Sequence, residues 1–224
     1  MTSSQLTSPA IATPKRARSE VQKHARRTAI LAGAARHLVE VGFDKFSMAK
    51  LASSIGLAKG TLYIYFKTRE EVLLALFDEK FATWASDLKA QLKPGLTNQA
   101  FCSAFLQTAV AQPAFIPLLL RLSAVIEHNI SVNVLISSKR VMQRQLEALS
   151  EDVANCLSLS KTESIEVLMG LAPLLIGTAQ HDLAPNLDRT PLPTDVRAFV
   201  DSFATEELFS RNACRIISSI RDGR

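Results

Sequence analysis

The residues best suited to chemistry lie in one short run, Lys59-Gly-Thr-Leu-Tyr-Ile-Tyr65, followed by Lys67 and Arg69. Its groups are two hydroxyl-bearing rings, a threonine, cations at both ends and a glycine, which suits them to a polyanion rather than to bond breaking. Cations and hydroxyls donate to phosphate oxygens, and a residue without a side chain lets a backbone approach closely. On a helical wheel Leu62 and Phe66 fall together on an inward side. Gly60, Thr61 and Ile64 fall opposite, Tyr63 and Tyr65 flank them, and Lys59 sits at the N-terminal tip. A helix of two turns is weak alone. Other elements must hold it.

Charge distribution agrees with a polyanion partner. Net charge is +5 over 224 residues, but residues 1–69 carry +9 and residues 70–224 carry −4. A basic front favours nucleic acid, whereas the rear has no electrostatic reason to approach it.

The supporting elements read as helices throughout, so the expected class is all-α. Leu31, Ala34, Ala35, Leu38 and Val41 form one apolar stripe of a helix running from about Val21 to Val41, closed by Gly42. Ser47 can cap the next helix, with Met48, Leu51, Ala52 and Ile55 at helical spacing, and Gly56 marks a turn. Thr68 and Glu71 fit a capping box opening a helix to Pro94-Gly95. Further helices are expected from Thr97, from Pro117 to His128, from Ser131 to Leu157, from Ser160 with Glu163 to His181 with a kink at Pro173, and from Thr194 to Arg221 with a bend near Thr205. Two short helices joined by a tight turn match a helix-turn-helix, whose second helix enters the major groove. Ser47 is then placed to meet a phosphate, Lys59 and Thr61 to reach base edges or phosphates, and Tyr63, Tyr65, Lys67 and Arg69 to hold the backbone.

The stretch from Arg26 to Phe77, "RRTAILAGAARHLVEVGFDKFSMAKLASSIGLAKGTLYIYFKTREEVLLALF", resembles the N-terminal DNA-binding domain of the TetR family of transcriptional repressors. The resemblance implies a homodimer, one helix-turn-helix per subunit, a helical C-terminal domain for a small effector, and DNA contact by Ser47, Lys59, Thr61, Tyr63, Tyr65, Lys67 and Arg69. Ile64 departs from the family's usual aromatic or polar residue, and Ala49 replaces a side chain that sometimes reaches DNA. Ile64 either touches a thymine methyl or fills space. Residues 113–131 resemble a segment of one subgroup's C-terminal domain.

The division expected is 1–22 as a flexible basic tail, 23–83 as the DNA-binding domain and 84–224 as the ligand-binding and dimerisation domain. The tail is either solvated or an arm along DNA. In the rear domain Trp84, Phe101, Phe105, Phe115 and Met142 are either core or the lining of an effector pocket, with Arg121 and His128 among its polar groups. The near-continuous apolar helix around Leu168, Met169, Leu171, Leu174, Leu175 and Ile176, together with the last helix, suggests a two-fold interface.

Other classes are weaker. Ser47-Met-Ala-Lys50 and Ser158-Leu-Ser-Lys161 fit the Ser-x-x-Lys pattern of penicillin-recognising enzymes, but Lys-Thr-Gly is absent and no strand is expected to carry it. An enzyme is not expected. His24, His37, His128 and His181 lack metal-ligand spacing, so neither metal nor cofactor is expected. Cys102, Cys156 and Cys214 suit free thiols in a reducing compartment. No membrane span or signal peptide is expected, which places the chain in the cytoplasm. The partners expected are an operator duplex, a second copy and a hydrophobic or amphipathic effector. The alternative is a DNA-bound protein without an effector, acting through protein contacts or DNA organisation.

Overall fold

The computed structural model describes residues 14–181 and 191–223 and contains only helices and their connections among them. α1 (Pro14–Lys45) begins earlier than its apolar stripe. Proline is favoured in a first turn, and the run after it is rich in good helix formers, with Lys23 and Glu20 paired at 3.0 Å. Residues 14–22 are thus helical rather than a flexible tail, while residues 1–13 lie outside the described residues. At Gly42 the backbone breaks from helical geometry with φ 76°, a conformation that glycine alone adopts without strain.

α2 (Met48–Ser54) starts at Ser47, whose hydroxyl accepts from the Lys50 N–H at 3.3 Å. α3 (Lys59–Tyr65) follows the turn at Gly56, which has φ 66°. α4 (Arg69–Gln91) is capped by Thr68, which accepts from the Glu71 N–H at 3.1 Å. The reciprocal half of the expected capping box is displaced by one residue. The Glu71 carboxylate accepts from the Lys67 N–H at 2.7 Å, and so also fixes the connection from α3.

α4 is shared by both halves. Its first turns close the head core, where Ile30, Leu31, Ala34, Leu38, Phe46, Leu51, Leu62, Phe66, Val72 and Leu73 are buried. Its later turns carry Phe77, Phe81 and Trp84 into the rear core. There α5 (Asn98–Val110), α6 (Phe115–Arg121), α7 (Val132–Leu157), α8 (Lys161–Ala179), α9 (Thr194–Asp201) and α10 (Thr205–Asp222) complete the bundle. Between α6 and α7 the expected helix to His128 changes character. A π turn over Leu122–Ile126 gives way to a 3₁₀ turn over Glu127–Asn129, and the Asn129 side chain donates to the Val125 carbonyl at 2.7 Å.

The capping box at Ser160 and Glu163 forms in full. α8 continues through Pro173. The proline has no N–H for the Met169 carbonyl one turn back, and Met169 is exposed, so water can satisfy that oxygen. The break expected near Thr205 separates α9 from α10. Among the described residues one helix, Lys161–Ala179, is long and apolar enough by length and composition to cross a membrane, a test that the core helix of a bundle also passes. Its apolar surface packs on α10 and α7.

Candidate nucleic-acid interface

The head core holds α3 by its inward side. Leu62 is fully buried and Phe66 nearly so, with the Arg27 guanidinium of α1 lying 4.8 Å from the Phe66 ring centre. That anchoring turns the opposite face out. Lys59 and Gly60 are exposed, Thr61 is half-buried, Tyr63 is 42% exposed and Ile64 is 80% exposed. The Lys59 ammonium lies 5.8 Å from the Tyr63 ring centre one turn on, which gathers cation and phenol on one side. A Cβ built on Gly60 would meet nothing within 4 Å. Gly60 is therefore not required by packing within this chain.

Other expected contact residues differ in their freedom. Ser47 is half-buried, and its hydroxyl accepts from Lys50 while keeping its own proton to donate. Tyr65 is half-buried against α1 and lines a cavity with Gln22, Lys23 and Arg26. The Lys67 side chain is exposed. Arg69 is already engaged within the chain. Its guanidinium donates to the Phe43 carbonyl at 2.8 Å, lies over the Phe43 ring at 4.7 Å and stands 3.9 Å from Glu70. It fastens the start of α4 to the turn after Gly42, with its side chain partly exposed.

The Ser-x-x-Lys patterns serve chain geometry. Ser47 is an N-cap, and Ser158 ends α7 in the left-handed region at φ 56°, ψ 47°. Among the described residues no cluster of His, Cys, Asp or Glu could hold a metal ion.

The residues expected around an effector are not brought together around one cavity. Trp84, Phe101, Phe105 and Phe115 are buried against one another. Trp84 stacks on Phe115 at 5.8 Å and meets Phe105 edge-on at 5.0 Å. These rings fill the space between α4, α5 and α6, which is the core reading of them. Met142 lines a separate cavity between α7 and α8 with Leu146, Leu168 and Met169. Arg121 points to Phe43, and His128 is exposed on the 3₁₀ turn. A cleft of about 550 Å³ lies instead where α1, α4 and the α5–α6 turn meet, lined by Ala35, Arg36, Val39, Lys80, Thr83 and Gln112 among others. Both polar atoms of the Gln112 amide are buried there without a hydrogen-bond partner. The sequence hid this cleft because its walls come from three separate elements. The pattern of α1 carries only a partial signal, since Val39 lies outside the core stripe.

Two family descriptions match the chain. Residues 30–76 match the bacterial regulatory proteins of the tetR family, and residues 78–217 match the tetracyclin repressor-like C-terminal domain. The chain belongs to the TetR family. TetR-family proteins are DNA-binding transcription regulators and not enzymes. Among relatives, the fatty acid metabolism regulator protein of Bacillus subtilis is 32% identical over 76 residues, 34% of this chain and 39% of that protein. The HTH-type transcriptional repressor Rv1474c of Mycobacterium tuberculosis is 36% identical over 61 residues, 27% of this chain and 33% of that protein. These matches span well under half the length of either relative.

Solved structures share the fold. The TetR structure from Acinetobacter baumannii AYE gives a TM-score of 0.56 at 14% identity, covering 87% of this chain and 96% of that one. The fatty acid degradation regulator FadR from Bacillus halodurans gives 0.51 at 18% identity, covering 82% and 94%. At such identities the likeness concerns the fold alone.

Proposed function

We propose that this TetR-family chain is a cytoplasmic homodimeric repressor. In this reading α3 of each copy reads one half of a near-palindromic operator, and a hydrophobic or amphipathic effector releases it. The observation that carries the reading is the division of α3 into a buried side, Leu62 and Phe66, and an exposed side bearing Lys59, Gly60, Thr61, Tyr63 and Ile64. Such a helix fits a groove. Lys59 and Thr61 serve base edges or nearby phosphates, while Tyr63, Tyr65, Lys67 and Ser47 position the backbone. Gly60 admits close approach. An Ile64 this exposed is covered in the complex by a thymine methyl.

Two-fold symmetry places the reading helices about one DNA turn apart, roughly 34–36 Å or somewhat more. The surface for the second copy is α8 with α9 and α10. Met169 is 68% exposed on α8, whose other face is buried in the core, and Phe199 of α9 is 66% exposed. One relative is named as a regulator of fatty acid metabolism and the other as a transcriptional repressor, which supports repression as the mode here.

For the effector we favour the cleft between α1, α4 and the α5–α6 turn over the aromatic core. Its walls are mostly apolar, its volume suits a small molecule, and the Gln112 amide in its wall lacks a hydrogen-bond partner. A ligand there would bear on the head and the rear domain together. Tilting α4 would change the separation of the two reading helices, by no more than the ligand's differential affinity allows.

Selection of bound sequences from random duplex DNA, followed by release assays with hydrophobic small molecules, tests the proposal. A palindromic consensus and effector-dependent release are expected. Unselective binding would defeat the operator reading, and ligands that still release a Val39→Trp variant would defeat the cleft.

A further inference from the structure

α5 and α10 run antiparallel and are joined at successive levels. Asn98 donates to the Ser218 hydroxyl at 3.3 Å at one end, and Phe105 stacks on Phe209 at 5.7 Å at the other. Between these levels lie two thiols. The Cys214 sulfur is 3.6 Å from the Cys102 sulfur and 3.2 Å from the Gln99 side-chain oxygen. Cys102 is fully buried and Cys214 half-buried, so one sulfur has a path to solvent and the other does not. The levels above and below hold the register of the two helices and keep the sulfurs facing. A disulfide needs them about 2.05 Å apart. That closure of roughly 1.5 Å is within reach of side-chain rotation and a small helix shift.

We propose that Cys102 and Cys214 are a modification site, at which a hydroperoxide converts the thiol pair into a disulfide that fixes α10 on α5. The Cys214 thiolate attacks one oxygen of the hydroperoxide. The O–O bond breaks, the departing alkoxide or hydroxide takes up a proton, and Cys214 becomes a sulfenic acid. The Cys102 sulfur then attacks the Cys214 sulfur. The S–O bond breaks, and the hydroxide leaves as water with the Cys102 proton. Overall, two thiols lose two electrons and two protons, while the hydroperoxide becomes an alcohol, or water, plus one further water.

The order of events follows from the surroundings. Burial, and then the neighbouring thiol, push the Cys102 thiol above its ordinary range, which suits it to the second step rather than the first. In a reducing compartment such a bond is transient and serves as a sensor. The cysteines are 112 residues apart in sequence, so the bond also closes a long loop and constrains the unfolded chain. Because α10 packs on α8 as well, the bond ties the face assigned to the second copy to the helix that leans on α4.

The test uses the full chain, reduced, freed of reductant and treated with hydrogen peroxide. It is then alkylated and digested without reductant for mass spectrometry. A peptide joining Cys102 to Cys214 is expected, lighter by two hydrogens and abolished by dithiothreitol, with Cys156 still alkylated. The oxidised chain should melt several degrees above the reduced one. A Cys102→Ser variant should lose the linkage and the rise in Tm, leaving a sulfenic acid at Cys214 that dimedone traps. Full alkylation of both cysteines after peroxide would overturn the proposal, as would pairing of either with Cys156 or with a second copy.

Discussion

The tyrosines of α3 in the head and the ring cluster of the rear core are used in opposite ways. In the head, Tyr63 and Tyr65 lie at or near the surface of α3. In the rear, Phe77, Phe81, Trp84, Phe105, Phe115 and Phe209 form a continuous chain of ring contacts across four helices. The same kind of side chain can serve a partner or a core, and neighbouring residues decide which. A ring beside exposed cations and hydroxyls is available to a duplex, while a ring among leucines and other rings supplies packing energy. Substitution should therefore affect binding in one region and stability in the other.

The largest effect is expected in the rear. Phe105→Ala should destabilise the chain by about 3–5 kcal/mol, read from denaturant unfolding, because its neighbours cannot collapse into the space. Lys59→Ala and Tyr63→Ala should leave unfolding almost unchanged but weaken operator affinity by about 1–3 kcal/mol each, measured by titration at fixed salt. Equal losses of stability and affinity in either region would erase the contrast.

Gly60→Ala sharpens it further. A Cβ at Gly60 has open space in the free chain, so the melting temperature should hold or rise slightly, since alanine favours helix by about 1 kcal/mol. Operator affinity should nevertheless fall, because the new methyl meets the duplex. Unchanged affinity would show that α3 does not approach DNA along that line.

His37 makes a smaller claim about the head core. Its ring is buried beside Phe46, 5.4 Å between centres, and neither ring nitrogen has a hydrogen-bond partner. His37→Leu should stabilise the head by about 1 kcal/mol in thermal unfolding, with DNA affinity retained.

The smallest effect concerns pH at the junction of α4 and α7, where the Ser138 hydroxyl donates to Asp78 at 2.6 Å. Burial raises the Asp78 pKa above 3.8, opposed by the Ser138 hydrogen bond and by Arg27 and Lys139. A raised carboxyl favours the protonated folded state, so stability is lost as pH rises from 3.8 through the folded value. Asp78→Asn should flatten that loss. Parallel pH–stability curves for the two proteins would refute it.

Legibility in the sequence followed the reach of the interactions. The caps at Ser47, Thr68, Thr97 and Ser160 and the turn at Gly56 depend on residues within four positions, and each forms where its pattern stands. The inward side of α3 was equally plain, because helical period alone sorts Leu62 and Phe66 from the rest. The hold of Arg69 on the Phe43 carbonyl was not legible because its partner lies 26 residues away. The early start of α1 was missed because helix propensity, rather than an apolar stripe, carries residues 14–22. The rear cavities escaped because each is walled by several elements, and no periodicity within one helix reports what another brings to it.

Selection of bound duplexes from a random library by the purified full chain is the most direct measurement of the central claim. A two-fold symmetric consensus with half-sites about one turn apart is expected, with enrichment lost on Lys59→Ala and Tyr63→Ala. Retention of random sequences without enrichment, or an unchanged consensus and affinity in both variants, would contradict it.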